Sequence, residues 1–123
     1  MKRKYQLAAT EYEIMEVLWE KGDYILTRDL LDIFNEKGKN WKRQTLNTLL
    51  VRLEEKQLVL RKRAFVATSC TKAEYLHLYT KEILDTMYGG KLGNFCAALS
   101  GNDHIEESDA EELNKLIEEL SNK

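Results

Sequence analysis

The sequence predicts a mainly α-helical chain that carries one small β-hairpin. Three observations carry that reading. Thr10, Thr71 and Ser108 are each followed three residues later by Glu, and each pair opens an apolar run at helical spacing. Proline is absent, and the few glycines stand where helices should stop. Two adjacent strand-like runs occur, "LVLRK" and "AFVATS", with almost no room for a turn between them. A length of 123 residues fits one domain or two very small ones. The 43% hydrophobic and 33% charged residues suit a globular protein with much exposed helix and argue against disorder.

Taken in order, "TEYE" from Thr10 opens a first helix with Ile14, Val17 and Leu18 on its apolar face, ending near Gly22. "YILT" is a short extended piece. Thr27 is placed to cap a second helix with Leu30, Leu31 and Phe34, stopped near Gly38. Asn40 is placed to cap a third helix that runs to about Lys56. The hairpin follows. A long fourth helix from Thr71 carries Leu76, Tyr79, Ile83, Leu84 and Met87, and Gly89-Gly90 breaks it. Leu92, Phe95, Cys96 and Leu99 mark a short fifth helix, and "SDAE" from Ser108 opens the last, with Leu113, Leu116, Ile117 and Leu120. Three helices followed by a hairpin is the winged helix-turn-helix order, here with three further helices behind it.

The third helix is the chemically informative one. At about 100° per residue, Leu46, Leu49, Leu50 and Leu53 gather on one side. The far side holds Gln44, Thr48, Val51 and Glu55, with Asn47 and Arg52 on its flanks. Gln44, Asn47 and Thr48 are residue types that bond base edges in a major groove. Lys42 and Arg43 stand at the helix start, where cations oppose the helix dipole. Accepting that penalty points to a use for them on phosphate or guanine, beside the free N–H groups of the helix end. Arg61, Lys62 and Arg63 in the hairpin are placed to straddle phosphates and supply salt-dependent affinity, with Arg61 and Arg63 on one face of the strand and Lys62 on the other. Arg28, at the start of the second helix, is a further candidate for the backbone. The net charge of −2 hides an asymmetry that fits: residues 1–63 carry 14 Lys/Arg against 10 Asp/Glu, and residues 64–123 carry 5 against 11.

The segments "EIMEVLW", the Trp41-to-Lys56 run "WKRQTLNTLLVRLEEK" and "MYGGKL" with "FCAAL" resemble the penicillinase repressor family of the BlaI/MecI type, across almost the whole chain. The resemblance implies a homodimeric transcriptional repressor on an operator of dyad symmetry, with a winged helix DNA-binding domain at 1–71 and a helical dimerisation domain at 72–123. It places Lys42, Arg43, Gln44, Thr45, Asn47 and Thr48 on the recognition helix. It also implies control by proteolysis or another signal, through a membrane sensor-protease of the BlaR/MecR type. The wing before "RAF" is shorter than is usual in the family. The cysteine pairs of copper-responsive relatives are absent, so copper sensing is not expected. Asn94-Phe95 falls a few residues early to match the cleavage bond of the family.

Dimers gain affinity by binding two half-sites. The apolar stripes of the last three helices are more than a tail needs, so Leu76, Ile83, Met87, Leu92, Phe95, Leu99, Leu113, Leu116, Ile117 and Leu120 are expected to face a second copy. His77 and His104 lie in separate segments, and no His-Glu-x-x-His, phosphate loop or Ser/His/Asp set is present, so the expected protein is not an enzyme and needs no metal or cofactor. Without a long apolar run or a leader after "MKRKYQ", the expected setting is the cytoplasm, with no membrane insertion and reduced cysteines. The partner expected is double-stranded operator DNA. The alternatives are a winged helix protein-interaction module and a metal- or ligand-responsive regulator.

Overall fold

The computed structural model describes residues 3–101 and 106–121, the last two of these by their backbone alone. His104 and the side chain of Leu120 therefore lie outside the described residues. The order is α1 (Ala9–Lys21), β1 (Ile25–Leu26), α2 (Thr27–Glu36), α3 (Arg43–Glu55), β2 (Val59–Lys62), β3 (Phe65–Thr68), α4 (Lys72–Met87), α5 (Leu92–Ser100) and α6 (Glu107–Ser121). This is a winged helix followed by three helices. The extended "YILT" piece does more than connect. It forms β1 and adds to the hairpin, giving an antiparallel sheet in the order β1-β3-β2, with Ile25 opposite Val66 and Arg61 opposite Val66 on the other side.

One core serves α1, α2, α3 and the sheet. Ile14, Met15, Leu18, Leu30, Phe34, Leu46, Leu50, Leu53, Leu58, Val59 and Val66 are sealed from solvent. Each such side chain contributes roughly 1.5–3 kcal/mol relative to an exposed one. The four leucines expected on the inner side of α3 are all buried.

The helix starts differ from the capping pattern, for local reasons. α1 begins after Ala8, whose N–H donates to the Glu11 carboxylate at 2.8 Å, so Thr10 sits inside the first turn. Thr27 is the first residue of α2 and caps nothing. Its N–H and hydroxyl both donate to the Ala64 carbonyl, at 2.8 and 3.0 Å, tying the helix to the hairpin turn. α3 starts at Arg43 after Lys42, because Asn40 takes a left-handed backbone (φ 56°) and cannot adopt the extended cap geometry. α6 starts at Glu107, with Ser108 already in a first turn whose Glu107 and Asp109 suit the positive helix end. At α4 the expectation holds. The Glu74 N–H donates to Thr71 Oγ1, and the Thr71 N–H donates to the Glu74 carboxylate, both at 3.1 Å. That backbone bond holds the Glu74 carboxyl below its usual range.

The junction between hairpin and α4 is short and densely bonded. Tyr75, on the first turns of α4, is buried in a cluster of rings with Trp19 at 5.5 Å, Tyr79 at 5.8 Å and Tyr12 at 6.2 Å between centroids. Its hydroxyl donates to the Tyr5 carbonyl at 2.7 Å, and burial pushes its pKa up to about 12. Trp19 Nε1 donates to the Cys70 carbonyl at 3.1 Å, and burial pushes the Cys70 thiol pKa up. The segment before α1 crosses the same junction. Glu82 of α4 accepts from the N–H groups of Lys4 and Tyr5, and Lys56 Nζ of α3 donates to the Gln6 carbonyl at 3.0 Å.

Beyond Tyr75 the apolar stripes find little cover. α5 contains no buried residue. Leu76, Met87, Leu92, Leu99, Leu116 and Ile117 are exposed, while Ile83, Phe95 and Leu113 are half-buried. Phe95 meets Tyr88 edge-on at 5.6 Å.

Candidate nucleic-acid interface

The outward side of α3 is presented by its leucine-packed inner side. With Leu46, Leu49, Leu50 and Leu53 fixed in the core, Gln44, Thr45, Asn47, Thr48 and Arg52 are all exposed. The α2–α3 turn sets where that side begins. Asn35, at the end of α2, accepts from the Trp41 N–H at 2.6 Å and donates to the Trp41 carbonyl at 3.1 Å. The Trp41 ring stacks on buried Phe34 at 4.8 Å. The turn therefore ends in a pinned residue, and Lys42 and Arg43 follow it directly onto the helix. Lys42 is the N-cap and offers no side-chain bond to the helix end.

Beside α3, the start of α2 and the hairpin turn enclose a hollow of about 630 Å³. Leu26, Leu31 and Leu46 give it apolar walls, and Arg28, Arg43, Arg61 and Arg63 stand around it with Asn47. Four arginines from three elements thus line one concavity. The nearest carboxylate partner of Arg28 is Asp29, at 4.0 Å on an exposed surface, which leaves the cation largely free.

The hairpin residues take separate positions. The turn is only Arg63-Ala64, and Arg63 has a left-handed backbone (φ 57°) at the place where hairpins favour glycine. Arg63 is therefore a turn-tip residue, not a strand residue sharing a face with Arg61 as alternation predicts. Arg61 leans toward α3, and its Nη2 donates to Asn47 Oδ1 at 2.6 Å. Lys62 is exposed on the far side, near Arg63, Tyr24 and Phe65, which line a second, shallower hollow. Thr48 donates its hydroxyl to the Gln44 carbonyl at 3.0 Å, so its outward side offers a methyl group and lone pairs. Arg52 lies one turn beyond Thr48 and does not reach the four-arginine hollow.

A sequence profile described as "Penicillinase repressor" matches residues 7–119. The chain belongs to the penicillinase repressor family. It is thus a transcriptional repressor rather than an enzyme. It is similar to the penicillinase repressor of Bacillus licheniformis, 28% identical over 127 residues that cover 100% of this chain and 98% of the relative. It is also similar to the penicillinase repressor of Staphylococcus aureus, 22% identical with 98% of each chain covered. The methicillin resistance regulatory protein MecI of Staphylococcus aureus strain N315 is 22% identical, with 94% of this chain and 95% of the relative covered.

In this repressor, sequence reasoning missed Asn35, Tyr24, Phe65 and the Asn47–Arg61 contact. Asn35 carried a signal, since Asn beside a Gly-terminated helix end commonly bonds local backbone. The Asn47–Arg61 contact spans 14 residues and depends on how the hairpin folds over α3. Among the described residues, no helix is long and apolar enough to cross a membrane, and no group of three or more His, Cys, Asp or Glu side chains is placed to hold a metal ion.

Proposed function

We propose that this repressor is a sequence-specific DNA-binding protein that acts in the cytoplasm as a homodimer on an operator of dyad symmetry. Residues 1–71 form the reading domain and residues 72–123 the pairing domain. One observation carries the reading: an exposed, uncharged polar edge on α3 lies beside a hollow ringed by Arg28, Arg43, Arg61 and Arg63. Gln44, Asn47 and Thr48 are the base readers. Lys42, Arg43, Thr45 and Arg52 flank them on the helix, and Arg28, Lys62 and Arg63 hold phosphates on either side. The stripes of α4, α5 and α6 support the pairing role, since among the described residues Leu76, Met87, Leu92, Leu99, Leu116 and Ile117 stay exposed.

Control by signal-driven cleavage through a membrane sensor-protease is the regulation that family membership supports. Asn94-Phe95 is a poor bond for it. Both residues lie in the first turn of α5, with N–H groups bonded to the Lys91 carbonyl at 3.2 and 3.3 Å, and cleavage would require that turn to open.

The test is fluorescence anisotropy of the full chain on the duplex upstream of its own gene and on scrambled duplex, over a range of salt. Affinity for the specific duplex should fall steeply with salt. Gln44→Ala should cost ~1–3 kcal/mol on that duplex and little on the scrambled one. Lys62→Ala should weaken both alike. Equal affinity for the two duplexes would overturn the reading.

A further inference from the structure

The contact between the hairpin and α3 bears on which base is read. Arg61 approaches the amide of Asn47 at 2.6 Å. A guanidinium can only donate hydrogen bonds, so the amide atom facing it must be the oxygen, and the Nδ2 group must face away. Asn47 is exposed and Arg61 half-buried on the wall of the hollow. The helix thus holds the asparagine by its acceptor and turns its donors outward.

An unpaired asparagine in a major groove suits adenine, accepting from N6 and donating to N7. Here the oxygen is already engaged by a cation, and the remaining N–H groups of Arg61 are donors as well. A surface made only of donors fits guanine, whose N7 and O6 both accept. The amino groups of adenine and cytosine would meet the guanidinium donor to donor.

We infer that Arg61 is a specificity-determining residue that acts through Asn47: by occupying the Asn47 oxygen, it converts an adenine-reading side chain into part of a guanine-reading pair. This rests on the proposal that α3 reads DNA and adds to it the identity of one base. It also separates Arg61 from Lys62 and Arg63, which make no hydrogen bond to Gln44, Asn47 or Thr48 among the described residues. Thr48 provides an internal control, because its hydroxyl is bonded within its own helix and is independent of the hairpin.

The experiment is selection of the full chain and its variants on a pool of randomised duplexes, followed by sequencing. The base pair under Asn47 is the one whose preference Asn47→Ala abolishes. The wild type should select guanine there. Arg61→Ala should move that position toward adenine, changing the guanine-to-adenine ratio by about tenfold or more, and leave the other positions as they were. Arg61→Lys, which keeps a cation but presents its donors from one point instead of a planar fork, should fall between the two. Circular dichroism should confirm that the variants are folded. Adenine selected by the wild type would overturn the inference, as would an Arg61→Ala variant that binds every sequence more weakly with no change of base, or an Asn47→Ala variant with unchanged preferences. A wild type that enriches no sequence at all would instead bring down the DNA-reading proposal beneath it.

Discussion

α3 and the pair α5 and α6 are built from the same material, amphipathic helices with leucine or isoleucine at helical spacing, and they meet opposite fates. On α3 the stripe is buried at all four leucines. On α5 and α6, Leu92, Leu99, Leu116 and Ile117 stay exposed, Leu99 at 68%. The difference is in the surroundings. α1, α2 and the sheet close over α3, while among the described residues α5 has only partial cover, Phe95 against Tyr88. A periodic apolar stripe says that a face needs cover; it does not say whether the cover comes from the same chain.

The largest expected effect tests that contrast directly. Leu50→Ala should destabilise the winged helix by about 2–5 kcal/mol at any protein concentration. Leu99→Ala should lower stability only in proportion to how much of the protein is paired, so its effect should grow with concentration. Denaturation at two concentrations, with sedimentation alongside, reads both. A Leu99→Ala effect that ignores concentration, in a protein that sediments as a monomer, would break the comparison.

The next effect sits at the boundary between the regions. The Tyr75 pKa is raised in the folded chain, so the neutral hydroxyl is the form that folding favours. Its contribution should be whole below about pH 10 and be lost as pH rises through about 12, a change of roughly 2–3 kcal/mol. Tyr75→Phe should flatten that alkaline limb while costing about 1 kcal/mol near neutrality for the lost bond to Tyr5. An unchanged alkaline limb would remove Tyr75 from the junction's energetics.

The smallest effect concerns the turn of the hairpin. Arg63→Gly relieves a left-handed backbone and should stabilise the fold by about 1 kcal/mol while weakening DNA binding on all sequences. A variant that gains stability and keeps its affinity would show that the arginine is not retained for contact with phosphate.

Much of this arrangement was legible in the sequence, and the gaps share a cause. The order of the helices, the hairpin and the inner leucines of α3 follow from periodicity and turn residues, which are local. The start of α3 was misplaced because Asn40 reads as a cap in isolation, whereas Asn35 and the Phe34–Trp41 stack hold the turn in another shape. The pairing of β1 with β3 joins residues some forty positions apart, and the Asn47–Arg61 bond depends on where the hairpin lies against α3. The exposed polar side of α3 could be read because helical spacing fixes which residues share a face. Which of those residues touch each other could not, since that is fixed by tertiary contacts.

The crossing of residues 4–6 over the joint has one more consequence. With Glu82 gripping the backbone of Lys4 and Tyr5, and Tyr75 seated among the rings of Tyr12 and Trp19, α4 is attached to the first helix bundle as a lever is attached to its axle. Backbone, carboxylate and ring contacts all meet at that joint. A force that swings the far end of α4 is passed to the bundle of α1, α2 and α3 unless the tyrosine leaves its seat.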